Sequence, residues 1–147
     1  MKIAVAAPDD APDWIAMRSA LWPGGGDGGT HADDINRLLG DAGNTVNLIA
    51  RDGTGQAVGF AEASLRRDYV NGCQTTPVAF LEGIYVVPEA RGRGVARALV
   101  AAVEVWARAS GVSELGSDAA PDNMASLKMH NALVFEETQR VVFFRRL

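Results

Sequence analysis

Residues 77–116 constrain the fold most tightly. From Pro77 to Val87 the chain is almost continuously apolar, the pattern of a strand covered on both faces. Pro88 ends it, since proline brings no amide to a strand ladder. Val95, Leu99, Val103 and Trp106 then recur at spacings of four, four and three, which places them on one stripe of a helix that stops near Gly111. Val112 to Gly116 reads as a further strand. A strand, a helix and a strand in that order form a crossover unit with parallel strands and the helix lying on the sheet.

The remaining elements fit around this unit. Lys2–Ala6 is β-prone, and Pro8, Asp9 and Asp10 suit the start of a helix reaching Leu21, with Trp14, Met17 and Leu21 on its inner face. Pro23–Gly29 is too glycine-rich for regular structure and is expected as a mobile loop. Asp33–Leu39 predicts a second helix, and Thr45–Arg51 and Ala57–Leu65 a hairpin turned at Asp52-Gly53-Thr54-Gly55. Arg66–Thr76 is a polar loop. Pro121–Ala132 reads as a helix and Arg140–Arg145 as a closing strand. The expected fold is therefore α/β in the wider α+β sense, with one mixed sheet that is antiparallel early in the chain and parallel in the crossover unit.

Composition narrows the function classes. With 147 residues, 48% of them hydrophobic, the chain furnishes one core, and a single domain spanning 1–147 is expected. Charged residues make up 22%, no stretch approaches the run of roughly 18 apolar residues a membrane span needs, and no basic-then-apolar leader opens the chain. A soluble, cytoplasmic protein without a membrane partner is expected. The single cysteine, Cys73, has no internal partner and reads as an unreactive structural thiol, and no Cys/His cluster has metal-ligand spacing, so no metal is expected. A net charge of −4 without a basic face argues against nucleic acid and mildly for a cationic ligand, although slight acidity is common in soluble proteins.

Between the apolar run and the helix lies Glu89-Ala90-Arg91-Gly92-Arg93-Gly94-Val95-Ala96. Glycines allow close approach to the backbone, the first helical turn has free N–H groups, and the helix dipole favours negative charge; Arg91 and Arg93 add charged donors. Such a segment can hold an anion, though glycine-rich turns also precede helices where no ligand binds. Its spacing is neither that of nucleotide hydrolases nor that of dinucleotide folds. Arg91-Gly92-Arg93-Gly94-Val95-Ala96 resembles the Q/R-x-x-G-x-G/A signature of the GNAT superfamily of N-acetyltransferases. Leu21-Trp22-Pro23-Gly24, Asp68-Tyr69-Val70-Asn71-Gly72-Cys73, Phe80-Leu81-Glu82-Gly83-Ile84 and Phe135-Glu136-Glu137-Thr138 narrow the resemblance, which covers nearly the whole chain, to the aminoglycoside 6′-N-acetyltransferases.

The resemblance implies acetyl-CoA as co-substrate. Its pyrophosphate would lie on the amides of Arg91 to Ala96, with Arg97 beside them, its pantetheine arm along the backbone of Ile84, Tyr85 and Val86, and Asn123 in polar contact with it. Glu82 and Asp118 would bind the acceptor amines and assist loss of a proton, while Trp22, Tyr69 and Gln139 would lie at the acceptor site. The residues also admit plainer readings. Glu82, the one carboxylate within the run 77–87, needs a cation, a water or a gap there, or it merely faces solvent, and Gly83 beside it suggests a bulge or a close approach. Asp118 and Asn123 read equally as helix-start residues and Trp22 as packing. His130 occupies the place of a tyrosine that in many members protonates the departing thiolate; a lone histidine on a helix is more often structural. Val134 stands where glycine is usual, Gly25 where a related enzyme has histidine, and Gln139 where one has glutamate.

These features lead to an expected transfer of acetyl to the 6′-amine of an aminoglycoside or similar polyamine in a ternary complex. Another small amine as acceptor, or a non-catalytic acyl-CoA-binding module, would share the loop. The resemblance also implies a homodimer, to which the apolar Val141-Val142-Phe143-Phe144 segment is suited, although a buried strand explains that segment as well.

Overall fold

The computed structural model describes residues 1–25 and 29–146. Its elements are β1 (Lys2–Val5), α1 (Ala11–Leu21), α2 (His31–Leu39), β2 (Thr45–Arg51), β3 (Ala57–Arg66), β4 (Val78–Val86), α3 (Val95–Ala109), β5 (Leu115–Gly116) and α4 (Met124–Ala132), with 3-10 turns at Pro8–Asp10 and Pro88–Ala90. The strands form one sheet in the order β1-β2-β3-β4-β5. The first four run antiparallel, and β5 joins β4 in parallel through Ala79 opposite Leu115 and Phe80 opposite Gly116. The mixed sheet and the crossover unit are as the sequence predicts.

Alternation along the strands divides the core into two layers. Leu48, Ala50, Ala61, Ala63 and Leu81 face α3, which buries Val95, Leu99, Val100 and Val103 against them. Ile49 and Phe60 point the other way, onto Trp14 and Met17 of α1 and Ile35 of α2. Each of the fully buried side chains Trp14, Phe60 and Leu99 contributes about 1.5–3 kcal/mol by leaving water. α3 settles onto β3 at Gly59, where a Cβ would stand 2.8 Å from the Tyr85 carbonyl oxygen and 3.1 Å from Val95 Cγ1.

Several boundaries differ from the sequence reading for local reasons. α2 starts at His31 because Thr30 caps it, its hydroxyl accepting from the Asp33 amide at 3.1 Å. α4 starts at Met124, not Pro121, because the Asn123 side-chain oxygen Oδ1 caps the Ser126 amide. β5 is shorter than Val112–Gly116, and so β4 is covered on both sides only at its start: Val78–Leu81 are buried, Glu82 is exposed, and Gly83–Val86 are half-buried. Of the glycine-rich loop, residues 26–28 lie outside the described residues.

The closing strand expected over Arg140–Arg145 is a correction: no strand forms there. The segment passes the Arg66–Thr76 loop at Thr138, against Gly72, and then leaves Val142, Phe143 and Phe144 at 75%, 85% and 92% exposure. β propensity expresses fit to a pleated, half-buried surface, and among the described residues no strand pairs with the segment to provide one.

Candidate active site

β4 and the start of α3 create the site because β5 is so short. Past Phe80 the β5-facing edge of β4 has no paired strand, and the gap opens into a cleft of about 1180 Å³, larger than a pocket for one drug-sized ligand. One wall is Leu81–Val86; the other is Ser117, Asp118, Ala119 and the face of α4 from Asn123 to Leu133. Arg91, Gly92 and Gly94–Arg97 close one end, and Leu21 and Trp22 stand beside Glu82 and Gly83.

The phosphate-loop end has the features an anion needs. Gly92 and Gly94 have φ of +78° and +84°, left-handed values that glycine adopts without Cβ strain, and a Cβ on either would meet nothing within 4 Å. Gly94 is the N-cap of α3 and supplies no capping side chain, and the first turn holds no acidic residue. The amides of Val95, Ala96 and Arg97 precede the first bond of the helix, Ala98 N–H to Gly94 carbonyl at 3.0 Å, so they stay available to a ligand. Arg91 donates from Nε to the Val86 carbonyl at 2.9 Å and lies over the Tyr85 ring. Arg97 reaches the Ala132 carbonyl across the cleft. Arg93 is exposed and does not line the cleft.

Glu82 lies four residues back along β4 from Val86, about 13 Å at roughly 3.3 Å per residue. Glu62 of β3 pairs with Gly83 while Ala63 pairs with Leu81, so Glu82 is the extra residue of a β-bulge, as Gly83 suggested. The bulge aims Glu82 outward, where Arg66 forks onto it at 2.7 and 3.1 Å and the Ser64 hydroxyl donates to it. Its neighbour Gly83 has no room for a side chain: a Cβ would stand 2.4 Å from the Trp22 ring. Asp118 is exposed in the cleft two residues past β5. The hydrogen bond from Arg66 to Glu82, then the charges of Glu82 and Asp118, hold the guanidinium above its ordinary range against the opposing effect of burial. Arg66 therefore joins the two carboxylates electrostatically, and it also stacks 3.7 Å over the Phe80 ring.

His130 stands on the α4 wall. Its Nδ1 lies 2.7 Å from the Ser126 carbonyl, an atom that only accepts, so Nδ1 carries a proton and Nε2 faces the Ser117 hydroxyl at 2.7 Å. Phe135 packs edge-on against the ring. Val134, where glycine is usual, takes φ of +64°, a left-handed conformation that is costly for a β-branched residue.

Of the residues singled out from the sequence, the fold brings Trp22, Glu82, Ile84, Tyr85, Val86, Asp118, Asn123 and His130 to one cleft with the loop. Tyr69, 67% exposed in the Arg66–Thr76 loop, and Gln139 in the C-terminal segment do not line it. The carboxylate buried in the sheet is Glu62, not Glu82: burial pushes its carboxyl above the usual range, opposed by hydrogen bonds from Arg18 and Trp14. Its signal was a glutamate inside the apolar stretch Val58–Ala63, matched by Arg18 on the inner face of α1 with Trp14 and Leu21. Arg66 gave no such sign, because it begins a polar loop.

Known proteins match this arrangement. Residues 13–135 match the Acetyltransferase (GNAT) family. The chain is 46% identical over 146 residues to aminoglycoside N(6')-acetyltransferase type 1 of Acinetobacter baumannii, covering 99% of this chain and 98% of that protein. It is 49% identical over 133 residues to the protein of the same name from Salmonella typhimurium, covering 90% of each. The crystal structure of aminoglycoside antibiotic 6'-N-acetyltransferase AAC(6')-Ih from Acinetobacter baumannii superposes with a TM-score of 0.92 at 44% identity, over 99% of this chain and 97% of that one. AAC(6')-Iy in complex with the bisubstrate analogue CoA-S-monomethyl-acetylneamine superposes with a TM-score of 0.90 at 44% identity, again over 99% and 97%. On the cleft, the glycine loop before α3 and these matches, the chain belongs to the GNAT acetyltransferase family.

Proposed function

We propose that this protein transfers the acetyl group of acetyl-CoA to the 6′-amine of an aminoglycoside within a ternary complex, and that this modification protects a cell from the antibiotic. The observation that carries the reading is one cleft with an amide-lined anion site at one end, two carboxylates at the other, and the open edge of β4 between them. The loop Arg91–Ala96, with Arg97, holds the pyrophosphate, and Asn123 contacts the cofactor from the α4 wall. The unpaired backbone of Ile84, Tyr85 and Val86 accepts the pantetheine arm as a substitute strand and polarises the thioester carbonyl. Glu82 and Asp118 attract the polycationic acceptor, and Trp22 packs against its sugar ring.

In the transfer, the neutral 6′-amine attacks the thioester carbon, and a carboxylate, directly or through water, removes a proton from the nitrogen that has formed the new C–N bond. The C–S bond then breaks. CoA departs as the thiolate and takes up, through water in the open cleft, the proton that the carboxylate removed, which balances the step. Acetylation removes one positive charge from the antibiotic.

We further read the protein as a cytoplasmic homodimer. The exposed Val142, Phe143 and Phe144 favour the dimer, since a cluster of large apolar side chains outside any core marks an interaction surface. Tyr69 and Gln139, away from the cleft of a single chain, are assigned to the acceptor side of the assembled enzyme.

Steady-state acetylation with acetyl-CoA tests the activity. We expect kcat/KM for kanamycin or tobramycin to exceed that for spermidine by about a hundredfold or more, equivalent to about 2.7 kcal/mol of differential transition-state binding. A rate no better than that for spermidine refutes the aminoglycoside assignment.

A further inference from the structure

A buried ionic cluster lies behind the acceptor wall. Arg18, His31, Asp34 and Glu62 are each less than 9% exposed. Arg18 donates to Glu62 from Nη1 and to Asp34 from Nη2 at 2.9 Å, and Trp14 donates to Glu62 at 2.9 Å. Burying such a network is a poor way to gain stability, because desolvation of the charges offsets their attraction. What it does gain is direction. Arg18 Nε–H donates to His31 Nδ1 at 3.1 Å, and His31 Nε2 lies 3.0 Å from the Trp22 carbonyl. A carbonyl only accepts, so the proton sits on Nε2, and Nδ1 is free to accept from Arg18. Every polar atom of the imidazole is thereby committed, and the chain of bonds ends on the backbone of Trp22.

We infer that Arg18 and His31 are positioning residues that clasp Trp22 and so set the acceptor wall of the cleft. The clasp joins the two flanks of the glycine-rich segment, Trp22 at the end of α1 and His31 at the start of α2. Arg18 holds Trp22 a second way, its carbonyl accepting the Trp22 amide at 2.7 Å and its guanidinium lying 4.8 Å from the ring centroid. The ring is pressed on one side against Gly83, where it leaves no room for a Cβ, and meets Phe60 edge-on. A side chain at a helix end next to a glycine-rich segment would otherwise sample several rotamers, each changing the shape of the cleft beside Glu82.

The inference rests on Trp22 lining the acceptor side, so its test separates the two ideas. His31→Leu removes both hydrogen bonds. His31→Gln keeps an acceptor for Arg18 and a donor for the Trp22 carbonyl. His31→Asn, shorter by one methylene, stays polar but cannot span both partners. We expect His31→Leu and His31→Asn to raise the aminoglycoside KM about tenfold, the value of one hydrogen bond, with the acetyl-CoA KM unchanged, and His31→Gln to restore wild-type behaviour. If both KM values move together, or Gln fails as Leu does, His31 has only a structural role and the inference falls. Should the wild type not acetylate aminoglycosides, the proposed function fails, but the clasp is still read from the Trp22 indole N–H resonance, assigned with Trp22→Phe. Broadening or displacement of that signal in His31→Leu and His31→Asn, reversed in His31→Gln, supports the clasp; an unchanged signal overturns it.

Discussion

Gly83→Ala places one methyl group where the structure has no space for it. The Cβ would stand 2.4 and 2.5 Å from two atoms of the Trp22 ring, well inside van der Waals contact, and a tight 3.3 Å from a Leu21 methyl. Yielding is difficult, because the ring is backed by Phe60 and the Arg18 guanidinium and its backbone is tied to His31. Overpacking of this kind costs about 1–3 kcal/mol. At roughly 3 °C per kcal/mol for a chain of this size, a cost of about 2 kcal/mol lowers Tm by about 6 °C. The cost belongs to the contact with Trp22, so in a Trp22→Ala background Gly83→Ala should be nearly neutral. Thermal denaturation of the four proteins of this double-mutant cycle should give a coupling of about 2 kcal/mol. If Gly83→Ala lowers Tm equally with and without the Trp22 ring, the glycine serves backbone conformation at the bulge, and the packing argument is refuted.

Two further predictions address other parts of the molecule. Val134→Gly should raise stability: the residue is 85% exposed, so little burial is lost, and removing a β-branched side chain from φ +64° relieves about 1–2 kcal/mol of strain against about 0.5–1 kcal/mol of added chain entropy, a net gain of a few degrees in Tm by calorimetry. Glu114 accepts hydrogen bonds from the Thr75 hydroxyl and the amides of Gln74 and Thr75, which hold its carboxyl below the ordinary value of 4.5. A lowered folded-state value means the native loop binds fewer protons than the open one, so its protection is full above 4.5 and fades as pH falls through the lower value; hydrogen-exchange protection at residues 74–75 should show this acid loss, and Glu114→Gln should abolish it.

Much of the loop before α3 was legible from the chain alone. The apolar run ending at Pro88, the glycines at 92 and 94, and the helical stripe from Val95 are signals spread over a few neighbouring residues, and the backbone follows them directly. The bulge at Glu82 was legible for the same reason, from a glycine beside a charge in an apolar strand. The surroundings of Glu82 were less so. Glu82 does not wait unpaired for a substrate cation but is met by Arg66, eighteen residues' worth of hairpin bringing Ser64 to the same carboxylate. The missing C-terminal strand makes a related point: Val141–Phe144 has the composition of a strand, but pairing depends on an edge elsewhere.

The sequence by itself determined the crossover unit and the glycine turn at the start of α3, because φ freedom, the helix start and hydrophobic period are properties of adjacent residues. Only the tertiary structure decided that Arg18, His31, Asp34 and Glu62 form one buried cluster and that it ends on Trp22. Those contacts join residues 9 to 44 positions apart, and what pairs a buried charge is whichever partner the packed helices and sheet bring beside it, a geometry no local pattern encodes.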